Sequence, residues 1–309
     1  MSIEPSLSKK IFYSLKEALS NPLEVEILDL HFNDLSKFPE EILQLQNLKV
    51  LHLYNNQIEQ IPAEIDKLKQ LEKLDISGNR LKSLPDELAN LTNLKILIAS
   101  WNYLEALPNN IGNLQHLEKL SLNNNKISYI PDSIGNLKNL KELILSENEL
   151  SAIPKFIGNL EHLEKLRLYE NHLEELPDEI CNLKNLTKLE INDNNLKSLP
   201  HNIGELHNLT RFRAFKNLLI ELPISICKLN KLEKLILYEN EIEKLPKEFG
   251  SLKSLKELDL SYNLLKELPE SFNNLKNNVK LLKFFSNNFS EPIKINLSKE
   301  FQDTKIDWE

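Results

Sequence analysis

Residues 48–70 read LKVLHLYNNQIEQIPAEIDKLKQ, and residues 71–93 repeat the same frame as LEKLDISGNRLKSLPDELANLTN. The two stretches share apolar residues at positions 1, 4, 6, 11, 14, 18 and 21, an asparagine at 9 and a proline at 15. Working outward, the proline returns at 39, 62, 85, 108, 131, 154, 177, 200, 223, 246 and 269, always 23 residues apart. The asparagine keeps the same metre from Asn33 through Asn56, Asn79 and onward to Asn263. Eleven such units tile residues 25–277 without a gap. A twelfth starts at Val279, after one extra residue, and runs through Leu282, Phe284, Asn287 and Phe289.

Each position has a physical role. Alternating leucines such as Leu51 and Leu53 fit a short strand with one face inward. The asparagine amide both donates and accepts, so a stack of asparagines can satisfy backbone groups where the chain bends away from the strand. Proline fixes φ and discourages helix before it. Pairs such as Ile111 and Leu114 then cover the outer side with a short helical or irregular segment. No unit can bury its own leucines, so the units must stack into one continuous core. The outer segments are wider than the strands, and the stack curves with the strands inside. The expected fold is an α/β solenoid, a horseshoe with a concave parallel sheet of about twelve strands.

The frame LxxLxLxxNxLxxLPxxIxxLxx resembles the leucine-rich repeat, specifically its 23-residue LPxxI class. It is similar to bacterial, spirochaete-type proteins made of consecutive repeats of this length. The lead-in Glu17-Ala18-Leu19-Ser20-Asn21-Pro22 before the first unit, Val25–Asn47, fits that resemblance. Similar repeats also occur in eukaryotic signalling scaffolds. The resemblance implies a horseshoe with a protein-binding role, and does not identify the partner.

The ends of a solenoid need caps. Residues 1–24 are expected to supply the first, with a helix over residues 6–19 presenting Ile11, Phe12, Leu15 and Leu19. Residues 278–309 hold the partial twelfth repeat and a second cap containing Ile293, Ile295, Leu297, Phe301, Ile306 and Trp308. Five of the six glycines fall at position 19, where Ala89, Cys181 and Cys227 also stand. This reads as a slot for small residues, with both cysteines as buried fillers. Two repeats apart, their Cα atoms are separated by at least about 10 Å, beyond the roughly 7 Å limit for a disulfide. Ala99 and Ala214 break the core rule at position 6; Phe212 can restore volume beside Ala214, and Trp101 folding down is one way to fill the gap at Ala99.

The chain has a net charge of −8 and 27% charged residues. That argues against a nucleic-acid binder, which needs a basic footprint, and no nucleic-acid partner is expected. No apolar run reaches the roughly 18 residues of a membrane span, and Met1–Glu17 lacks the uninterrupted apolar stretch of a signal peptide. On that reading the chain is cytoplasmic, with a secreted or surface-exposed location as the alternative. It is expected to act as a monomer.

No motif points to catalysis. HExxH, GxSxG, GxxxxGK[ST], GxGxxG and calcium-loop patterns are missing from the sequence, and no cofactor is expected. One constellation offers metal-ligand chemistry: position 5 of the first three units reads Asp29, His52, Asp75, with His31 close by, and adjacent strands would set them about 4.8 Å apart. The other reading is an exposed charge ladder with a protonatable histidine.

Positions 3, 5, 7 and 8 should face solvent on the concave side. Over twelve units they hold ten basic and ten acidic residues, a balance that suits protein recognition. Aromatic residues stand there although the repeat does not require them: Phe32, Tyr54, Trp101, Tyr169, Phe215, Tyr238, Tyr262 and Phe285. Ile96 and Ile98 accompany Trp101, while Arg167, Arg213 and Ile236 stand among the later aromatics. Tyrosine, tryptophan and arginine are enriched at interface hot spots. These residues are the candidate surface for a protein partner. The alternatives are an intracellular signalling scaffold and a carbohydrate or small-ligand binder.

Overall fold

The computed structural model describes residues 10–308. It opens with a two-residue strand, β1 (Ile11–Phe12), and a short helix, α1 (Leu15–Ser20). One strand per repeat follows: β2 (Ile27–Asp29), β3 (Val50–His52), β4 (Lys73–Asp75), β5 (Ile96–Ile98), β6 (Lys119–Ser121) and β7 (Glu142–Ile144). The series continues with β8 (Lys165–Arg167), β9 (Lys188–Glu190), β10 (Arg211–Arg213), β11 (Lys234–Ile236), β12 (Glu257–Asp259) and β13 (Leu281–Lys283). The chain closes with α2 (Glu291–Glu300) and β14 (Lys305–Asp307).

All fourteen strands form one open sheet in sequence order, every neighbour parallel. Register follows the metre: Leu51 pairs with Leu28 on one side and Leu74 on the other. Each repeat's strand covers positions 3 to 5, so the position-4 leucine points inward and is fully buried from Leu28 to Leu258 wherever it occurs. On the far side each proline begins a 3-10 turn. Pro62 is extended at φ −69°, and its carbonyl accepts the Ile65 N–H at 3.1 Å, the pattern that recurs at Pro85 and Pro131. Fixed φ at proline sets the turn's entry angle.

The asparagines form the second spine. Asn148 Oδ1 accepts the Ile127 N–H at 3.0 Å, and its Nδ2 donates to the carbonyls of Leu122 and Leu145 at 3.1 Å. One amide therefore satisfies backbone groups of two consecutive repeats where no strand partner exists.

The N-terminal cap differs from the expected helix. Ile11 and Phe12 continue the sheet: Phe12 is buried and Ile11 exposed, the alternation of a strand, and only Leu15 and Leu19 lie on the helix. An isoleucine–phenylalanine pair favours the pleated edge over a helix start. Residues 6–9 of the expected helix lie outside the described residues. At the other end α2 leads into β14, and Trp308 stacks on Phe284 with ring centroids 5.4 Å apart. The two cap strands raise the sheet from about twelve to fourteen strands.

Position 19 is tightest at Gly250, where a Cβ would meet the Ser271 carbonyl oxygen at 1.7 Å. Toward the ends of the array the same position carries Leu43, Asp66 and Asn273. Both cysteines are free and buried.

Candidate binding face on the sheet

Positions 3, 5, 7 and 8 lie on the exposed face, but unequally. Position 5 is crowded. Ser121, Ile144, Glu190, Ile236 and Asp259 are all buried there. Ile236, at 5% exposure, is therefore a packed residue and leaves the candidate contact set. Ile96 and Ile98 are half-buried.

Position 8 is where each strand turns outward, and its backbone is left-handed in all twelve repeats, with φ between 49° and 61°. Only Gly78 suits this geometry without a Cβ penalty. Phe32, Trp101 and Tyr262 occupy it at φ 51°, 57° and 52°, and are 68%, 59% and 48% exposed. Trp101 thus points to solvent and does not fill the space beside Ala99. A left-handed bulky residue costs about 1 kcal/mol or more, and these three rings recover little of it by burial.

The aromatics at position 7 are half-buried and organised. Phe215 and Tyr238 stack, with centroids 4.3 Å apart and planes 12° from parallel. Tyr262 meets Phe285 edge-on at 4.9 Å. Burial pushes the Tyr169 and Tyr238 phenols above their ordinary range, so both stay protonated donors at neutral pH.

Beside the stacked pair, β8, β9 and β10 bring Arg167, Glu190 and Arg213 into register. Arg167 Nε lies 2.9 Å from Glu190 Oε2, at ion-pair distance but out of line for a hydrogen bond. Arg213 Nη1 is 3.6 Å from Glu190 Oε1. One buried carboxylate thereby orients two half-exposed guanidinium groups. With Tyr169 and Phe215 they line an open hollow of about 700 Å³.

The N-terminal constellation does not converge on a metal. His31 Nδ1 lies 2.6 Å from Asp29 Oδ1, while His52 Nδ1 is 3.9 Å from Asp75 Oδ2. Tyr54 sits between the imidazoles, stacked on His31 at 4.6 Å and edge-on to His52 at 5.9 Å. Each histidine is turned to its own carboxylate. Among the described residues no group of three or more His, Cys, Asp or Glu is placed to hold a metal ion. Burial, aided by Lys73, pulls the His52 pKa down against the pull of Asp29 and Asp75.

Two features escaped the sequence reading. Position 3 carries Lys165, Lys188, Arg211 and Lys234 on four adjacent strands. Tyr103 and Tyr129 are about half exposed on the flank of the solenoid, away from the strands. The first was readable by aligning the units; the second follows no rule of the repeat.

Comparison with known proteins places the chain. The leucine-rich-repeat-region family matches residues 18–143, 86–170 and 155–241, and a single leucine-rich repeat matches 254–275. No curated protein matches the chain. Among solved structures, a leucine-rich-repeat protein of Leptospira interrogans is 30% identical, covering 97% of this chain and 100% of that one, with a TM-score of 0.50. The Arabidopsis receptor kinase HAESA, solved with a peptide hormone and a co-receptor, is 30% identical over 87% of this chain and 47% of its own, with a TM-score of 0.72. A Listeria monocytogenes internalin, 22% identical over 88% of this chain and 83% of its own, shares the fold at a TM-score of 0.68. The 23-residue metre, the asparagine spine and these matches agree, and the chain belongs to the leucine-rich-repeat family.

Proposed function

We propose that this chain is a non-enzymatic binding protein that takes a partner protein on its concave face. The central contact is the cluster of Arg167, Tyr169, Arg213, Phe215 and Tyr238. Ile96, Ile98 and Trp101 form a second contact three strands or more away, and Phe32, Tyr54 and Tyr262 extend the surface toward the two ends. The observation that carries this reading is the stacked Phe215–Tyr238 pair beside two guanidinium groups oriented by one buried carboxylate. Rigid aromatics and pre-positioned arginines bind with little loss of side-chain freedom. Twelve strands span roughly 55 Å, and a width of about 15 Å gives on the order of 800 Å², one partner's share of a standard interface.

The HAESA complex with its peptide hormone supports a peptide or protein ligand for this architecture. We place the partner among host or envelope proteins, with the chain acting as a monomer; no helix among the described residues is long and apolar enough to cross a membrane. Affinity capture with the intact chain tests the reading. A protein retained by the wild type and by a Phe156→Ala control on the outer turns, and lost by Phe215→Ala/Tyr238→Ala, supports it. Equal retention by the wild type and both variants overturns it. Detection of the chain only inside the cell would favour the scaffold reading.

A further inference from the structure

Position 3 of repeats seven to ten forms a cationic row: Lys165, Lys188, Arg211 and Lys234 are register neighbours on β8 to β11. Strand neighbours stand about 4.8 Å apart, and like charges directly opposite one another are destabilising. The outer two are neutralised. Lys165 pairs with Glu142, and Lys234 Nζ lies 2.7 Å from Glu257 Oε2. The inner two, Lys188 and Arg211, make no ion pair among the described residues. Directly behind them Arg167 and Arg213 already share the single carboxylate of Glu190. In a chain with net charge −8, Arg167, Lys188, Arg211 and Arg213 thus gather around Glu190, with Glu170 and the Lys216-paired Asp193 on the far side of the same hollow.

The surroundings limit what can neutralise them. Glu142 and Glu257 close the row at both ends on adjoining strands. Glu170, Asp193 and Glu239 stand across the face at position 8. A long polyanion laid along the row would run onto these carboxylates, whereas a short anionic segment would not. Four residues further along, beyond Arg213, lies the Phe215–Tyr238 stack, about 13 Å from the row by strand rise, which offers an apolar seat.

Resting on the binding reading above, we infer that the face takes an acidic segment of a partner protein, with carboxylates over Lys188 and Arg211 and an apolar or aromatic residue about four extended positions further on, over Phe215 and Tyr238. Charge complementarity of this kind steers encounter and fixes register, and it weakens with salt.

The test uses the full chain and a fluorescent oligo-glutamate peptide containing one phenylalanine, read by anisotropy at low salt. The wild type should bind, and added salt should weaken binding. Lys188→Glu/Arg211→Glu should weaken it by about tenfold or more. Lys82→Glu/Lys197→Glu changes the net charge equally at exposed sites off the face and should change it by less than about twofold. Lys188→Gln/Arg211→Gln gives an intermediate loss and guards against charge reversal disturbing Glu190. No binding by the wild type, or equal loss in both charge-reversal pairs, overturns the inference. So does tighter binding of heparin than of the peptide at this row, which would assign it to a sulfated polysaccharide. A captured protein partner that Phe215→Ala/Tyr238→Ala loses but Lys188→Glu/Arg211→Glu keeps refutes the acidic segment while leaving concave-face binding intact.

Discussion

Phe215 and Tyr238 lie face to face across adjacent strands, 4.3 Å apart and 12° from parallel, without either being part of the buried core. The stack fixes both rings before any partner arrives. Truncating a buried hot-spot aromatic costs 2 kcal/mol or more, about thirtyfold in affinity. Phe215→Ala/Tyr238→Ala should weaken the partner by at least that factor in a titration while the denaturation midpoint changes little. Collapse of the fold in the double variant would place these rings in the core instead.

Trp101 stands on left-handed backbone at φ 57° and is 59% exposed. Asparagine tolerates that conformation better than tryptophan. Trp101→Asn should therefore raise stability by up to about 1 kcal/mol in urea melts and weaken partner binding. A loss of several kcal/mol would show that the indole packs on the fold.

Much of this was legible in the metre of the chain. Leu51, Asn56 and Pro62, repeated every 23 residues, dictate strand, spine and outer turn. The N-terminal cap was not, because Ile11, Leu15 and Leu19 are spaced as on a helix while Ile11 and Phe12 are captured by the edge of β2. β14 lies beyond the metre altogether. The left-handed turn was hidden because position 8 holds glycine only at Gly78. Ile236 looked exposed by position, yet its row is the crowded centre of the face, where even Glu190 is buried. Counting ten basic and ten acidic residues over the face concealed their separation. Six of the ten basic residues gather at position 3, where only Glu142 and Glu257 are acidic, while Glu147, Glu170, Asp193 and Glu239 stand at position 8 with Lys216 as its one cation.

Asn148 is buried and holds the turns of two repeats through Ile127, Leu122 and Leu145. Removing its amide strands those groups away from water. Asn148→Ala should cost about 1–3 kcal/mol, and the Ile127 amide should exchange faster with solvent. Leu145→Ala, which empties core volume beside it, should cost about 2–5 kcal/mol. Unchanged melting of both variants would invert the inward and outward assignment.

Burial pushes the thiols of Cys181 and Cys227 up to about 11. At neutral pH only about one molecule in ten thousand then carries a thiolate at either site. Thiol reagents should leave the native chain untouched and label two cysteines after unfolding. Fast native labelling, or an intact mass two hydrogens short, would contradict the buried free-thiol state.

His52 supplies a pH dependence whose sign is fixed by its surroundings. Burial and Lys73 lower its pKa below the ordinary 6.5, with His31 adding to them and Asp29 and Asp75 opposing. The folded chain therefore gives up this proton more readily than the unfolded chain. The stability it contributes is complete above 6.5, declines as pH falls through that value, and stops declining once the lowered folded-state pKa is passed. His52→Gln removes the titration and keeps a polar side chain of similar reach. Denaturant midpoints measured on both sides of 6.5 should fall further in the wild type than in the variant. Carboxylate protonation lowers both proteins alike and cancels in the comparison. A variant that falls further than the wild type would mean that Asp29 and Asp75 outweigh burial, and that the imidazole is held protonated in the folded state.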